Sequence, residues 1–194
     1  MSLSSLNKLI ASLSFFACTS LFAAPLTVDV AGIESYGASG DPGNTVLTFN
    51  VGANATVTSV DYAVNLTANG PSWLSEIALA FTDSKGNDGV AFNPAFGEDG
   101  EGSGSYSGSG DLIDLGLSFK VGADGILRLE FYEDFDDFDG VDGVWDFGTI
   151  TFGIEEEIVA VPEPSTALLL GAGVMLIAYG RRRVSPKRSA PHSP

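Results

Sequence analysis

Apolar residues recur at every second position through most of the middle of this 194-residue chain. Successive side chains of a β-strand point to opposite faces, so a period of two predicts a strand with one apolar face. A helix would instead require a spacing of three to four residues. Six segments follow the period of two: 47–51, 60–66, 77–81, 113–121, 127–131 and 150–154.

Two shorter apolar segments, 26–32 and 90–92, bring the predicted number of strands to about eight. Clusters of Gly, Asn, Asp and Pro separate these segments and predict turns. Strands with one apolar face bury it best as two antiparallel sheets packed face to face. The sequence therefore predicts an all-β protein with a single antiparallel β-sandwich of jelly-roll or Ig-like type.

One glycine-rich segment interrupts the pattern, 97–110, with the sequence GEDGEGSGSYSGSG. It offers almost no apolar side chains, and ordering its glycines costs backbone entropy. We predict a mobile loop that connects two strands.

The charge of the chain is concentrated in its middle. Of the 25 acidic residues, 24 lie between Asp29 and Glu157, together with only three basic residues, so this part carries a formal charge of −21. Such a surface repels phosphate polyanions, and we expect no binding of nucleic acid.

The N-terminus has the pattern of a secretory signal peptide. Lys8 precedes an apolar run that reaches Ala24, and Pro25 disfavours a cut directly before it. We predict a signal peptide over 1–23, with a retained membrane anchor as the alternative. The single cysteine, Cys18, would leave with the signal, so the mature body would have neither disulfide nor thiol.

Near the C-terminus no charged residue lies between Glu163 and Arg181. The apolar run 165–180 predicts a short membrane-spanning helix, and a buried core helix is the alternative. Flanking arginines stay on the cytoplasmic side, which places the body of the protein outside the cytoplasm. Residues 184–194 then form a basic cytoplasmic tail.

These C-terminal features carry a resemblance. The order of a Pro-Glu-Pro step, an apolar span and three arginines resembles the PEP-CTERM sorting signal of Gram-negative bacteria. The resemblance implies export, transient anchoring in the inner membrane, and processing by an exosortase in cells that make extracellular polysaccharide. It also implies passage from the periplasm to the cell surface or matrix. The motif residues are Pro162, Glu163, Pro164, Arg181, Arg182 and Arg183.

The predicted organisation is therefore a signal peptide (1–23), an acidic sandwich domain (24–160), a sorting and anchor segment (161–183) and a tail (184–194). The tail departs from the pattern of the family, in which the signal usually stops soon after the arginines.

An acidic loop without any cation between its carboxylates lies ahead of the last strand. Its charges repel one another, and bound Ca²⁺, which takes six to eight oxygen ligands, would relieve that repulsion. The spacing is not that of an EF-hand, and a solvated, salt-screened loop is the other interpretation. The candidate calcium ligands are Asp134, Asp136, Asp137, Asp139 and Asp142.

No catalytic set stands out in the body. The single histidine, His192, lies in the tail, which excludes a Ser-His-Asp triad from the body. A carboxylate pair of the glycosidase type is the remaining catalytic alternative, but no spacing selects an acid and a nucleophile. The candidate carboxylates are Glu76, Glu130 and Glu133.

We therefore expect a non-enzymatic surface or extracellular-matrix protein. The alternative is a carbohydrate-binding module or adhesin in which Trp73, Tyr106 or Trp145 stacks on sugar rings and calcium shapes the acidic loop. A small glycosidase is the third candidate. The pattern favours core or loop packing over a stacking platform for five aromatic residues: Trp73, Phe135, Phe138, Trp145 and Phe147.

Overall fold

The computed structural model describes residues 24–137 and 140–157, which contain ten β-strands and a single 3-10 turn at Leu74–Glu76. The predicted signal peptide, anchor helix and tail lie outside the described residues. Within that described part, no helix is long and apolar enough to cross a membrane. The strands are β1 (Leu26–Asp29), β2 (Ile33–Ser35), β3 (Thr45–Asn50), β4 (Thr56–Ala68), β5 (Ile77–Asp83), β6 (Gly89–Phe92), β7 (Gly102–Asp111), β8 (Phe119–Lys120), β9 (Ile126–Glu133) and β10 (Gly143–Glu155).

The strands form two sheets, and all pairings are antiparallel. One sheet has six strands in the order β1-β10-β4-β7, with β2 also beside β10 and β8 beside β4. The other has four strands in the order β3-β9-β5-β6. The predicted all-β class with two antiparallel sheets is confirmed.

The connections cross repeatedly from one sheet to the other. The chain changes sheet between β2 and β3, β3 and β4, β4 and β5, β6 and β7, β8 and β9, and β9 and β10, while β5 and β6 form a hairpin. This is the strand order of a double-sheet jelly roll, which was one of the two predicted types.

The core lies between the two sheets and is built from the inward faces that the alternation predicted. Phe81 of the four-stranded sheet packs against Phe152 of the six-stranded sheet, with ring centroids 5.1 Å apart. At the other end Phe131 meets Trp145 edge to face at 5.1 Å. All four rings are fully buried, so they hold the two sheets together.

The glycine-rich segment is a strand for most of its length, and the prediction of a mobile loop was wrong. β7 pairs with β4 over ten residues, from Gly102 opposite Ala68 to Asp111 opposite Ser59. Its serines face outward, and its glycines and Tyr106 face inward. A Cβ atom on Gly108 would lie 2.7 Å from Oη of Tyr62, so the glycine leaves room for that ring. The apolar cover of this strand therefore comes partly from a tyrosine of the neighbouring strand.

The predicted strand over 113–121 is also wrong, apart from the two residues of β8. Oδ1 of Asp111 accepts hydrogen bonds from the N–H groups of Ile113 and Asp114, at 2.9 and 3.0 Å. Gly116 follows with φ of +69°, a conformation that glycine adopts readily. These two features close a turn, and they leave three apolar side chains of the predicted inward face exposed: Ile113, Leu115 and Leu117.

Candidate functional site

A cluster of acidic side chains occupies the end of the sandwich where β9 stops and β10 starts. We call Glu76, Glu133, Asp137 and Asp142 the carboxylate cluster. Glu133 is the last residue of β9, Asp142 directly precedes β10, and Glu76 ends the 3-10 turn before β5. Three segments that are far apart in the sequence therefore meet here, around Glu76, around 133–142 and at Ser35 of β2, which contacts Glu133.

Backbone hydrogen bonds fix these segments relative to one another. The N–H of Glu133 donates to the carbonyl of Gly37 at 2.9 Å, and the N–H of Asp142 donates to the carbonyl of Ser35 at 3.1 Å. The N–H of Asp134 donates to the carbonyl of Glu76 at 2.9 Å. The positions of the acidic residues thus follow from main-chain pairing and do not depend on their side chains.

Glu133 is a fully buried carboxyl group. Oε1 accepts a hydrogen bond from the hydroxyl of Ser35, whereas Oε2 has no partner in the described part of the chain. Gly143 makes room for this pair, because a Cβ atom there would lie 2.7 Å from Oγ of Ser35 and equally close to Ile77. A side chain at position 143 would displace the buried carboxyl group.

Asp142 is also fully buried. Oδ2 accepts a long hydrogen bond, 3.4 Å, from the N–H of Asp137, and Oδ1 has no partner among the described residues. The same is true of Oδ2 of Asp137 and of the indole Nε1 of Trp145. Among the described residues, three buried carboxylate oxygens of the cluster therefore have no hydrogen-bond partner, although such groups are normally paired in folded proteins.

Burial and mutual repulsion shift the pKa of both buried acids upward. Burial raises the pKa of Glu133 to about 8, against the hydrogen bond from Ser35, and the Asp142, Glu76 and Asp134 carboxylates add to the rise. Burial also raises the pKa of Asp142, against the N–H of Asp137, with nearby carboxylates adding to it. Without a nearby positive charge, the site therefore favours the neutral, protonated forms of Glu133 and Asp142 more than water does.

Basic side chains of the described part are engaged elsewhere. Arg128 bonds Glu130 at 2.8 Å, and Lys120 lies 3.4 Å from Glu157. The pKa of Asp124 is lowered mainly by the hydrogen bond from the hydroxyl of Ser84, and the positive charge of Lys85 adds to this effect. No salt bridge found within the described residues reaches the carboxylate cluster.

The predicted calcium ligands do not all meet. Asp137 and Asp142 are neighbours, while the exposed Asp134 accepts a hydrogen bond from Nδ2 of Asn93 at 2.8 Å. Asp136 is exposed but close enough to Asp142 to affect its pKa, and Asp139 lies outside the described residues. Within the described chain, no three acidic side chains stand in the geometry of a formed metal site. The calcium hypothesis stays a prediction.

The sequence placed Glu133 at the start of the acidic loop and among three possible catalytic acids, but not among the candidate calcium ligands. The structure gives it the central position in the cluster and brings Glu76 beside it, but it places Glu130 elsewhere. Glu130 accepts hydrogen bonds from the N–H of Gly40 at 2.6 Å and from Arg128 at 2.8 Å. The alternation of β9 does contain this information, because positions 127, 129, 131 and 133 share one face.

An open cleft of about 480 Å³ adjoins the cluster and shares two of its members. Its aromatic walls are Trp73 and Phe135, which are 46% and 61% exposed. The prediction for these residues was core or loop packing, and their exposure excludes packing in the core. The full set of lining residues is Pro71, Trp73, Glu76, Phe135 and Asp137.

The other aromatic candidates among the described residues do not line this cleft. Trp145 is fully buried, as the packing prediction expected, and so cannot stack on a sugar. Tyr106 is partly buried against the core. Phe147 is 60% exposed, which contradicts core packing, and Phe138 lies outside the described residues.

The fold and the cluster define the described body as a jelly-roll domain with a carboxylate-rich end. Residues 160–183 of the chain match the family of the PEP-CTERM protein-sorting motif. This confirms the resemblance of the C-terminal segment. PEP-CTERM signals are recognised by exosortase, and the motif indicates an exported, membrane-processed protein.

No curated protein gives a significant match to the chain. Among solved structures, the chain is similar to the crystal structure of the infectious bursal disease virus VP2 subviral particle, with 12% sequence identity and a TM-score of 0.30 over 69% of this chain. The match spans 34% of the viral chain.

Proposed function

We propose that this protein is an exported surface or extracellular-matrix protein that an exosortase sorts and processes through the motif at 160–183. The motif match is the observation that carries the proposal, and the motif closely follows the body, whose last strand ends at Glu155. In this proposal residues 165–180 hold the chain briefly in the inner membrane, with the body in the periplasm. Processing then delivers the body to the cell surface or to the polysaccharide matrix.

Mass spectrometry of the secreted and membrane fractions tests this route in a Gram-negative host that has an exosortase. We expect a surface form that begins at Ala24 and lacks the three arginines. Replacing Pro162 and Glu163 together by alanine should leave the chain unprocessed in the membrane. A matched control, Pro186→Ala, lies outside the motif and should be processed normally. Persistence of the intact basic tail in the surface form would contradict the proposal.

The proposed role of the body is non-catalytic. Its two buried acids, Glu133 and Asp142, expose no surface on which a substrate could be held. General acid catalysis requires the acid to come within hydrogen-bond reach of the reacting group. Hydrolysis of host polysaccharide by the purified protein, abolished by Glu76→Gln in the cleft, would instead support a small glycosidase.

The cleft favours carbohydrate binding as a second candidate function. Trp73 and Phe135 present exposed rings on the same cleft as the carboxylates of Glu76 and Asp137. Sugar rings pack on flat aromatic faces, and sugar hydroxyls donate hydrogen bonds to carboxylates. Ligand sites commonly combine an apolar wall with a few polar groups in this way.

Binding of oligosaccharides from the host matrix, measured by calorimetry, tests this second function. Trp73→Ala should weaken binding by up to about tenfold, in line with the roughly 0.5–1.5 kcal/mol of an aromatic contact. Phe147→Ala is the matched control, because this ring is also exposed, at 60%, but does not line the cleft. Equal effects of the two changes would exclude the cleft as the binding site.

A further inference from the structure

The cleft beside the carboxylate cluster combines two exposed aromatic rings with two acidic side chains. Trp73 and Phe135 are 46% and 61% exposed, and Glu76 and Asp137 line the same cleft of about 480 Å³. Of the described residues that line it, none is basic. Aromatic faces attract organic ammonium groups through the negative charge of their π-systems, and carboxylates attract the same groups as ions.

Hydrogen bonds hold one of these carboxylates beside the residue that carries the larger ring. Oε2 of Glu76 accepts a hydrogen bond from the main-chain N–H of Trp73 at 2.8 Å and another from the hydroxyl of Ser72 at 3.2 Å. Both bonds are made by the same oxygen, and among the described residues no hydrogen bond engages Oε1 of Glu76. This oxygen is therefore left for a donor that enters the cleft.

The negative charge around the cleft has no counter-charge within the described part of the chain. Three basic residues lie in the range 29–157, and each interacts with an acidic side chain outside the cleft: Lys85 with Asp124, Lys120 with Glu157 and Arg128 with Glu130. A cation in the cleft would offset the charges of Glu76 and Asp137, whereas an anionic sugar would add to their repulsion. Charge complementarity therefore selects a cationic ligand.

We propose that this cleft binds an amino sugar with a free amino group, as a unit of a polysaccharide. The proposal rests on the carbohydrate binding proposed above and assigns the class of sugar. The sugar ring packs on the faces of Trp73 and Phe135, and its ammonium group pairs with Glu76 and Asp137. The volume of the cleft is in the range of small-molecule sites and suits a short saccharide.

Other ligands match this cleft less well. An N-acetylated amino sugar has no positive charge, and a uronic acid has the opposite charge. A lysine side chain carries an ammonium group, but its flexible stem of four carbons covers two aromatic faces less well than a sugar ring does. The cleft therefore needs both the ring and the charge of its ligand.

Calorimetry at about pH 6 and low salt tests the ligand class on the full chain, purified in detergent. The probes are the glucosamine tetramer, its fully N-acetylated counterpart and a galacturonic acid tetramer. We expect the free amine form, which is protonated at this pH, to bind at least about fivefold more tightly than the acetylated form, and the uronic acid not to bind. About 1 M NaCl should remove most of this preference, because it screens the charges.

The outcomes separate this inference from the carbohydrate binding on which it rests. Equal binding of the free and acetylated tetramers would overturn the inference and leave carbohydrate binding intact, whereas binding of none of the three would remove both. Tetralysine carries the same net charge as the glucosamine tetramer without sugar rings. If it binds as tightly, the cleft recognises charge alone, and the assignment to an amino sugar is wrong.

Variants locate the ammonium group. Glu76→Gln keeps an oxygen acceptor for the N–H of Trp73 and loses only the charge, so the preference for the free amine should fall below about twofold while the acetylated form binds as before. Asp61→Asn is the matched control, because it removes the same charge from an exposed position on the six-stranded sheet that does not line the cleft. Equal losses of preference in both variants would overturn the site. If Glu76→Gln fails to fold by circular dichroism, Asp137→Asn replaces it with the same expectation.

Discussion

The hydroxyl of Ser35 donates a hydrogen bond to Oε1 of Glu133, across 98 positions of the sequence and between two fully buried side chains. Ser35 belongs to the six-stranded sheet and Glu133 to the four-stranded sheet, so this polar bond joins the two layers. Buried polar groups that are only partly satisfied make a structure sensitive to their protonation. The free energy of unfolding should therefore change with pH as Glu133 gains or loses its proton.

The first prediction concerns the pH dependence of the metal-free protein. The pKa of Glu133 rises from an ordinary 4.5 to about 8 on folding. Between these values the folded state binds one proton more than the unfolded state, so stability is highest at the acidic side and falls as the pH rises. The slope from this group is at most about −1.4 kcal/mol per pH unit.

Urea unfolding between pH 5 and pH 8 in a chelating buffer measures this slope. The upward-shifted pKa of Asp142 acts in the same direction. Glu133→Gln keeps an acceptor for Ser35 and has no charge to gain, so its stability should vary much less over the same range. A wild-type stability that is flat or increases from pH 5 to pH 8 would show that Glu133 titrates normally.

The second prediction concerns the ion pair of Arg128 and Glu130, which lies on the other face of β9. The carboxylate of Glu130 is 4% exposed and receives N–H groups from Gly40 and Asn44 in addition to Arg128. Removing one partner of a buried pair typically costs 3–5 kcal/mol. Because the other donors remain and Arg128 is 24% exposed, we expect Arg128→Met to cost about 2 kcal/mol.

Chemical denaturation at pH 7 measures this loss. Lys120→Met is the control, because its pair with Glu157 is 58% and 42% exposed and should contribute less than about 0.5 kcal/mol. Adding Glu130→Gln to Arg128→Met should recover part of the stability, since the uncompensated charge is then removed. A loss that persists unchanged in the double variant would mean that Arg128 acts through packing alone.

The third prediction concerns Phe81 in the centre of the core. Its ring meets those of Phe92, Phe119 and Phe152 at centroid distances of 5.1 to 6.2 Å. Phe81→Ala leaves a cavity between the sheets and should cost about 3–5 kcal/mol. Phe96→Ala, at a ring that is 91% exposed, should change stability by less than about 0.5 kcal/mol. Similar losses from both variants would contradict the packing described for Phe81.

The carboxylate cluster was only half visible in the sequence. The run of acidic residues indicated the loop, and Asp137 and Asp142 are in the cluster. Period-two alternation along β9 also places Glu133 on the core face, two residues beyond Phe131. The sequence does not reveal that Ser35 and Glu76 each lie close to Glu133, because that depends on how the strands pair and how the two sheets pack.

The strands were predictable where apolar side chains marked the inward face. β7 escaped prediction because its inward face consists of glycines apart from Tyr106, and Tyr62 of the neighbouring strand covers Gly108. Gly and Ser alternate with a period of two from 102 to 110, with Tyr106 in place of one glycine. A search for alternating apolar side chains does not detect this pattern, because glycine has no side chain. For the segment 113–118 the error was the opposite one. Its apolar residues alternate and predict a strand, but Asp111 and Gly116 impose a turn.

The fourth prediction tests this explanation of β7. Gly108 has an ordinary backbone conformation, but a side chain there would meet the ring of Tyr62, which itself packs on Phe92 at 5.1 Å. Gly108→Val should therefore cost about 1–3 kcal/mol through overpacking, despite the better strand propensity of valine. Ser107→Val lies on the exposed face of the same strand and should be neutral or slightly stabilising.

Thermal and urea unfolding of both variants measure the difference, and Tyr62→Leu identifies its cause. In a Tyr62→Leu background the ring is absent, so Gly108→Val should cost at least about 1 kcal/mol less than in the wild type. An unchanged cost would assign the effect to the backbone of β7, and an equal loss from Ser107→Val would assign it to the edge position of the strand. Only non-additivity between positions 62 and 108 supports the conclusion that Gly108 is needed to leave room for the ring of Tyr62.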